Sequence, residues 1–140
     1  MARPRYETDA DLAREKAAVA VLCDALGCGA VKMPLASRAD ALLHHDGEAK
    51  TIVEFKYRRT RRGAYPTYMI GRGKYDALCA WTSLGFKAAL LVEWADQLAY
   101  VMVPIEHDTG EGGRTDRGDE RDIEEVVFID VDKFNTIKRK

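Results

Sequence analysis

Glu15, Asp40, Glu54 and Lys56 are the residues whose types and spacing could do chemistry. Hydrolysis of a phosphodiester needs a hard cation to polarise the phosphate and lower the pKa of an attacking water. Carboxylate oxygens supply such a site for magnesium. A nearby lysine can orient the water and neutralise developing charge. The Glu-x-Lys pattern is weak by itself, because Glu48-Ala49-Lys50 repeats it in a stretch that reads as a turn. Glu54-Phe55-Lys56 differs in its setting: Ile52, Val53 and Phe55 surround it with strand-forming residues, and Asp40 runs directly into Ala41-Leu42-Leu43. Both acids therefore belong to apolar strands. The plainer alternative is an ion pair between Glu54 and Lys56 on an exposed edge, with Asp40 solvated beside it.

Two strands must position these groups. Residues 39–44 and 51–57 form a hairpin across the turn-rich Asp46-Gly47-Glu48. Counting outward from Gly47 sets Asp40 opposite Glu54, to within one residue of register. The two-residue period puts Glu54 and Lys56 on one face and Val53 and Phe55 on the other. The Phe55 carbonyl lies between two site residues. Upstream, Thr8 or Asp9 caps a helix that runs to about residue 26, where Gly27 and Gly29 end it. Leu12, Val19, Leu22 and Leu26 mark its apolar face, and Glu15 shares that stripe. An unpaired carboxylate is expensive to bury. Glu15 thus either sits at the rim, paired with Arg38 or a lysine, or reaches the sheet as a third carboxylate.

The remaining elements follow from pattern. A second helix spans residues 72–84, with Gly85 as its stop. Residues 87–94 include Ala88-Ala89-Leu90-Leu91-Val92, the fully apolar run of a strand buried on both faces. Residues 98–104 return as a further strand, Val126-Val127-Phe128-Ile129 reads as a last strand, and a short helix from about Asp132 carries Phe134 and Ile137 onto the sheet. Trp81 and Trp94 read as core. The expectation is a single α/β domain over residues 1–140, a mixed central sheet flanked by helices.

Composition narrows the class. A chain of 140 residues with 46% apolar and 32% charged side chains is one ordinary globular domain. The longest apolar run is too short to cross a bilayer, and no secretory signal opens the chain. The three cysteines, Cys23, Cys28 and Cys79, form no CxxC pattern, which argues against structural zinc and a disulfide framework and for a reducing cytoplasm.

The net charge of −1 conceals two zones of opposite sign. Seven cations and no acid lie between Lys56 and Lys74, namely Lys56, Arg58, Arg59, Arg61, Arg62, Arg72 and Lys74. Tyr57, Tyr65 and Tyr68 are interleaved with them, a mixture suited to phosphate contact and base stacking. From Glu106 to Glu125 nine acids face three arginines, with Gly110, Gly112, Gly113 and Gly118 among them. Residues 106–124 read as a mobile loop or an irregular hairpin tip.

The order Glu15, Asp40, Glu54-Phe55-Lys56 resembles the PD-(D/E)XK nuclease superfamily, and within it the archaeal-type Holliday junction resolvases and related small phage and bacterial nucleases. The likeness extends over residues 9–104 by element order. It implies a restriction-endonuclease-like fold and a magnesium-dependent endonuclease of DNA, with manganese as substitute. By that resemblance Asp40, Glu54 and the Phe55 carbonyl hold the metal, Glu15 completes the site directly or through water, and Lys56 assists the water. Arg58, Arg59, Arg61, Arg62 and Arg72 then hold phosphates, Lys74 and Tyr68 touch the DNA backbone, and Ser37 is a further phosphate contact. The proline that precedes the family's aspartate is Ala39 here. The likeness also implies a homodimer, no membrane, and a bacterial or phage-infected cell.

Two other readings fit the same charges. One is a nucleic-acid-binding module that keeps the nuclease fold without catalysis. The other is an interaction protein whose basic segment meets an acidic partner. Other chemistries find no support. Neighbouring His44 and His45 point to opposite faces of a strand, and His107 has no recognisable partner. Ser83 and Cys79 lack a spaced base, and Gly71-Arg72-Gly73-Lys74 is too short for a phosphate-binding loop.

Overall fold

The computed structural model describes residues 8–33, 39–113 and 123–137. Helix α1, Asp9–Leu26, begins with a reciprocal cap in which the Thr8 hydroxyl accepts from the Asp11 N–H and the Asp11 carboxylate accepts from the Thr8 N–H. Gly27, at φ +68°, ends it in the left-handed conformation that glycine adopts without strain. Strands β1, Gly29–Lys32, β2, Ala41–His45, and β3, Glu48–Tyr57, follow as an antiparallel meander. Strand β4, Thr67–Gly71, leads straight into α2, Arg72–Ala80, which a 3-10 turn extends to Leu84. Then come β5, Lys87–Glu93, β6, Leu98–Val103, β7, Asp108–Gly113, β8, Ile123–Asp130, and β9, Asn135–Ile137.

The strands make two sheets. The larger has the order β1-β2-β3-β5-β6-β9, with β3 and β5 parallel and every other pair antiparallel. The smaller has the order β4-β8-β7. Strand β5 divides its apolar run between two cores. Ala89 and Leu91 join Ala18, Val19 and Leu22 of α1 on one face. Ala88, Leu90 and Val92 join Tyr68, Ile70, Val127 and Ile129 of the smaller sheet and Tyr75 and Leu78 of α2 on the other. The large sheet is thus covered on both sides, as a continuous apolar strand requires.

Three expectations are corrected. The helix expected from Asp132 is a 3-10 turn, Val131–Lys133, followed by β9, which pairs with β6. Phe134 and Ile137 do reach the interior, but they enter opposite cores, an arrangement open to a strand. Asn135 and Thr136 are poor helix formers, and so short a segment gains little from nucleating a helix. Secondly, within the stretch read as a mobile loop or an irregular hairpin tip, residues 108–113 form β7, paired antiparallel with β8; residues 114–122 lie outside the described residues. Thirdly, β1 and β4 were not expected. Strand β1 is short and almost wholly exposed, so it carries no periodic signal. Strand β4 does alternate, with Tyr68 and Ile70 buried and Met69 exposed, but inside the arginine-rich stretch.

Candidate active site

The hairpin register decides whether the acids meet. Asp46 and Gly47 form a tight turn with φ of +51° and +80°. His45 pairs with Glu48 and His44 with Ala49, a register that would carry Asp40 opposite Val53. A bulge between Leu43 and His44 shifts the ladder by one residue, so that Leu43 pairs with Thr51 and Ala41 with Val53. Asp40 stands just outside this ladder, one residue before β2, with its N–H directed to Val53. The Asp40 charge nonetheless reaches Glu54 and adds to the rise of its carboxyl.

Asp40 is pinned there by two bonds. Its N–H donates to the Val53 carbonyl at 2.9 Å, and its Oδ2 accepts from the Phe55 N–H at 2.6 Å. The N–H and C=O of a strand residue face the same neighbour, so the Phe55 carbonyl also opens on the Asp40 side. Glu54 pairs with Leu90 and shares its face of the sheet with Ile52, whereas Val53 and Phe55 face α1. Lys56 Nζ lies 3.0 Å from Glu54 Oε1. Neither residue is on an edge strand, because β2 and β5 flank β3.

Glu15 arrives from the α1 side and is only 5% exposed. Lys32 of β1 answers its charge: Nζ stands 2.5 Å from Glu15 Oε2 and 3.9 Å from Asp40 Oδ1. Burial pushes the Glu15 carboxyl up to about 7, with the Lys32 ammonium opposing and the Asp40 carboxylate adding to the rise. Burial also raises Glu54; Lys56 opposes, Asp40 contributes, and Lys74 of α2 opposes from further away. Three carboxylates therefore line one cavity, with the Lys32 ammonium against Glu15 and the Lys56 ammonium against Glu54. Among the described residues, no three His, Cys, Asp or Glu side chains converge closely enough to hold an ion in their present positions. The donor set is nonetheless all oxygen, which fits a hard divalent cation such as magnesium or manganese.

The carboxylates line an open cavity of about 410 Å³ with Arg14, Lys56, Tyr57, Arg58 and Lys74. Arg14 was not anticipated. Its guanidinium stacks 3.8 Å from the centre of the Tyr57 ring and lies 3.6 Å from Glu93. Arg14 and Lys32 come to the site only through the packing of α1 and β1, so no spacing along the chain marks them.

The expected nucleic-acid contacts divide. Arg59 and Arg61 are exposed, and Arg61 lies 3.7 Å from Asp96. Arg58 donates to the carbonyls of Tyr57 and Met69. Arg72 is paired with Glu125 at 2.6 Å and Asp76 at 3.5 Å. Arg62 turns inward and donates to Gln97, Thr136 and the carbonyls of Val131 and Phe134, which gives it a structural task. Tyr68 is 3% exposed, its ring packed edge-on against Trp94 and Phe134, so it belongs to the core and not to the surface expected of a DNA contact. Ser37 lies outside the described residues.

The family model described as "Phage putative PDDEXK endonuclease" matches residues 1–137. The chain belongs to this PDDEXK family. No curated protein matches it. Among solved structures, it is similar to Hjc of Archaeoglobus fulgidus, a Holliday junction resolvase from an archaeal hyperthermophile, with a TM-score of 0.59 and 15% identity. The match covers 89% of this chain and 90% of that one. The PDDEXK chain thus has the restriction-endonuclease-like α/β fold of that resolvase: one domain, a mixed central sheet and two helices. Among the described residues no helix is long and apolar enough to cross a membrane.

Proposed function

We propose that this PDDEXK protein is a divalent-metal-dependent endonuclease of DNA, of the resolvase-like type, that uses magnesium and accepts manganese. The observation that carries the reading is that Asp40, Glu54 and Lys56 line one cavity, with Asp40 bonded to the Phe55 N–H and Lys56 3.0 Å from Glu54. The two carboxylates and the Phe55 carbonyl would hold the metal, with Glu15 bound through water. When bound, the cation supplies polarisation of the phosphate and a lowered pKa for the attacking water. Lys56 orients that water and answers the negative charge that develops on the phosphate. Arg58, Arg59 and Arg61 lead away from the cavity along a basic surface, where Arg14 and Lys74 complete a phosphate-binding rim. Arg72 serves at its edge. A DNA junction or duplex offers two symmetry-related strands, which a homodimer matches with two sites. The three free cysteines suit the reducing cytoplasm of a bacterial or phage-infected cell.

The test is a nicking assay on plasmid and branched DNA with magnesium, comparing the native protein with Lys56→Ala and Asp40→Ala. Cleavage by the native protein alone is expected. Equal cleavage by all three removes the mechanism. DNA binding that weakens with salt, without cleavage under any metal, would instead favour a binding module that keeps the fold.

A further inference from the structure

A second cleft begins where the catalytic cavity ends. It runs along the free edge of β4, has a volume of about 430 Å³, and shares Arg58 with the catalytic cavity. Its apolar walls include Tyr65, Met69, Trp94 and Phe128. Two of these are unusually open to solvent for large apolar side chains: Tyr65 is 64% exposed and Met69 40%. Arg58, Arg61 and Arg62 are its cations, and no acid is among its lining residues. Tyr68 also lines it, and its hydroxyl is the single buried side-chain polar atom among the described residues with no hydrogen-bond partner.

The cleft is built in advance. Arg58 is held by the Tyr57 and Met69 carbonyls, with its guanidinium 4.7 Å from the centre of the Tyr68 ring. The segment bearing Tyr65 is anchored by the four bonds of Arg62 and by the Arg62 N–H to Asp96. Aromatic and thioether walls with cations at the mouth match a nucleobase with its phosphate attached.

We infer that this cleft receives an unpaired nucleobase from the strand whose phosphate lies in the catalytic cavity, stacked against the exposed Tyr65 ring. The inference rests on the nuclease reading and narrows its substrate. A base inside a duplex has both faces covered by neighbours, so only one outside the stack, at a branch, flap or bulge, can enter. Arg58 stands between the two cavities and would take the connecting phosphate.

Three duplexes test this by anisotropy in EDTA, where no cleavage intervenes: one fully paired, one with a single bulged 2-aminopurine, and one with an abasic bulge. The native protein should bind the 2-aminopurine bulge about tenfold more tightly than the abasic bulge, with quenched fluorescence. Tyr65→Ala should bring the two bulges to equal affinity, and Tyr65→Phe should keep the difference. Equal affinity of the native protein for both bulges overturns the inference. If plasmid nicking persists in that case, the nuclease reading stands without it. Binding of none of the three duplexes overturns both.

Discussion

The Phe55 N–H donates to Asp40 Oδ2 at 2.6 Å, so a side chain proposed to hold metal also fastens the start of β2 to β3. Asp40→Ala is therefore expected to do two things. It should abolish cleavage, and it should destabilise the fold by about 1–3 kcal/mol, because the Phe55 N–H loses its acceptor. Asp40→Asn keeps an acceptor oxygen and should retain most of that stability while cleavage is lost. Urea denaturation run beside the nicking assay separates the two effects.

Glu15 makes stability depend on pH in a definite direction. Its carboxyl is raised from 4.5 to about 7 in the folded chain, chiefly by burial. Between those values the folded state holds a proton that the unfolded state has released. The contribution is thus fully present below pH 4.5 and lost as pH rises through 7. In EDTA the native protein should become less resistant to urea from pH 5 to pH 8, and Glu15→Gln should flatten that part of the profile. A native profile that rises over the same interval would contradict the assignment.

Arg62 and Arg59 are close in sequence and should behave differently. Arg62→Ala removes bonds to Gln97, Thr136 and two carbonyls, and is expected to cost on the order of 3 kcal/mol of stability. Arg59 is exposed. Arg59→Ala should leave thermal unfolding almost unchanged, weaken DNA binding, and reduce the salt dependence of binding by about one phosphate contact. Melting curves and a salt titration of DNA affinity check both.

The bulge in the hairpin invites a register test. Lys50 is the extra residue between Ala49 and Thr51 in the β3 ladder. Deleting it should favour the unbulged pairing, which shifts β2 and the Asp40 at its head by one residue against β3. Loss of cleavage in a variant that still unfolds cooperatively is expected. Full activity after the deletion would show that register does not control the site.

Much of this architecture was legible because it depends on local rules. The Asp46-Gly47 turn, the run Ala88-Ala89-Leu90-Leu91-Val92 and the Thr8 cap declare themselves through turn chemistry, unbroken burial and capping. Asp40, Glu54 and Lys56 could be placed because two strands and a turn relate them. Their register was legible only to within one residue, since a bulge leaves no compositional mark. What stayed hidden depends on tertiary partners. Arg62 reads as one more surface cation until the backbone carbonyls of Val131 and Phe134 are brought beside it. Tyr68 reads as a stacking residue until Trp94 and Phe134 close over it. Lys32 sits on a strand too short and exposed to announce itself, and β9 forms because an edge of β6 was available to pair with.

The central claim, that Asp40 and Glu54 share a divalent ion, is met most directly by a crystal soaked in manganese and measured for anomalous scattering. A peak about 2.1 Å from oxygens of both carboxylates is expected, with the Lys56 ammonium nearby. A map with no peak between those two side chains, from crystals that still bind manganese elsewhere or cleave DNA in solution, would contradict it.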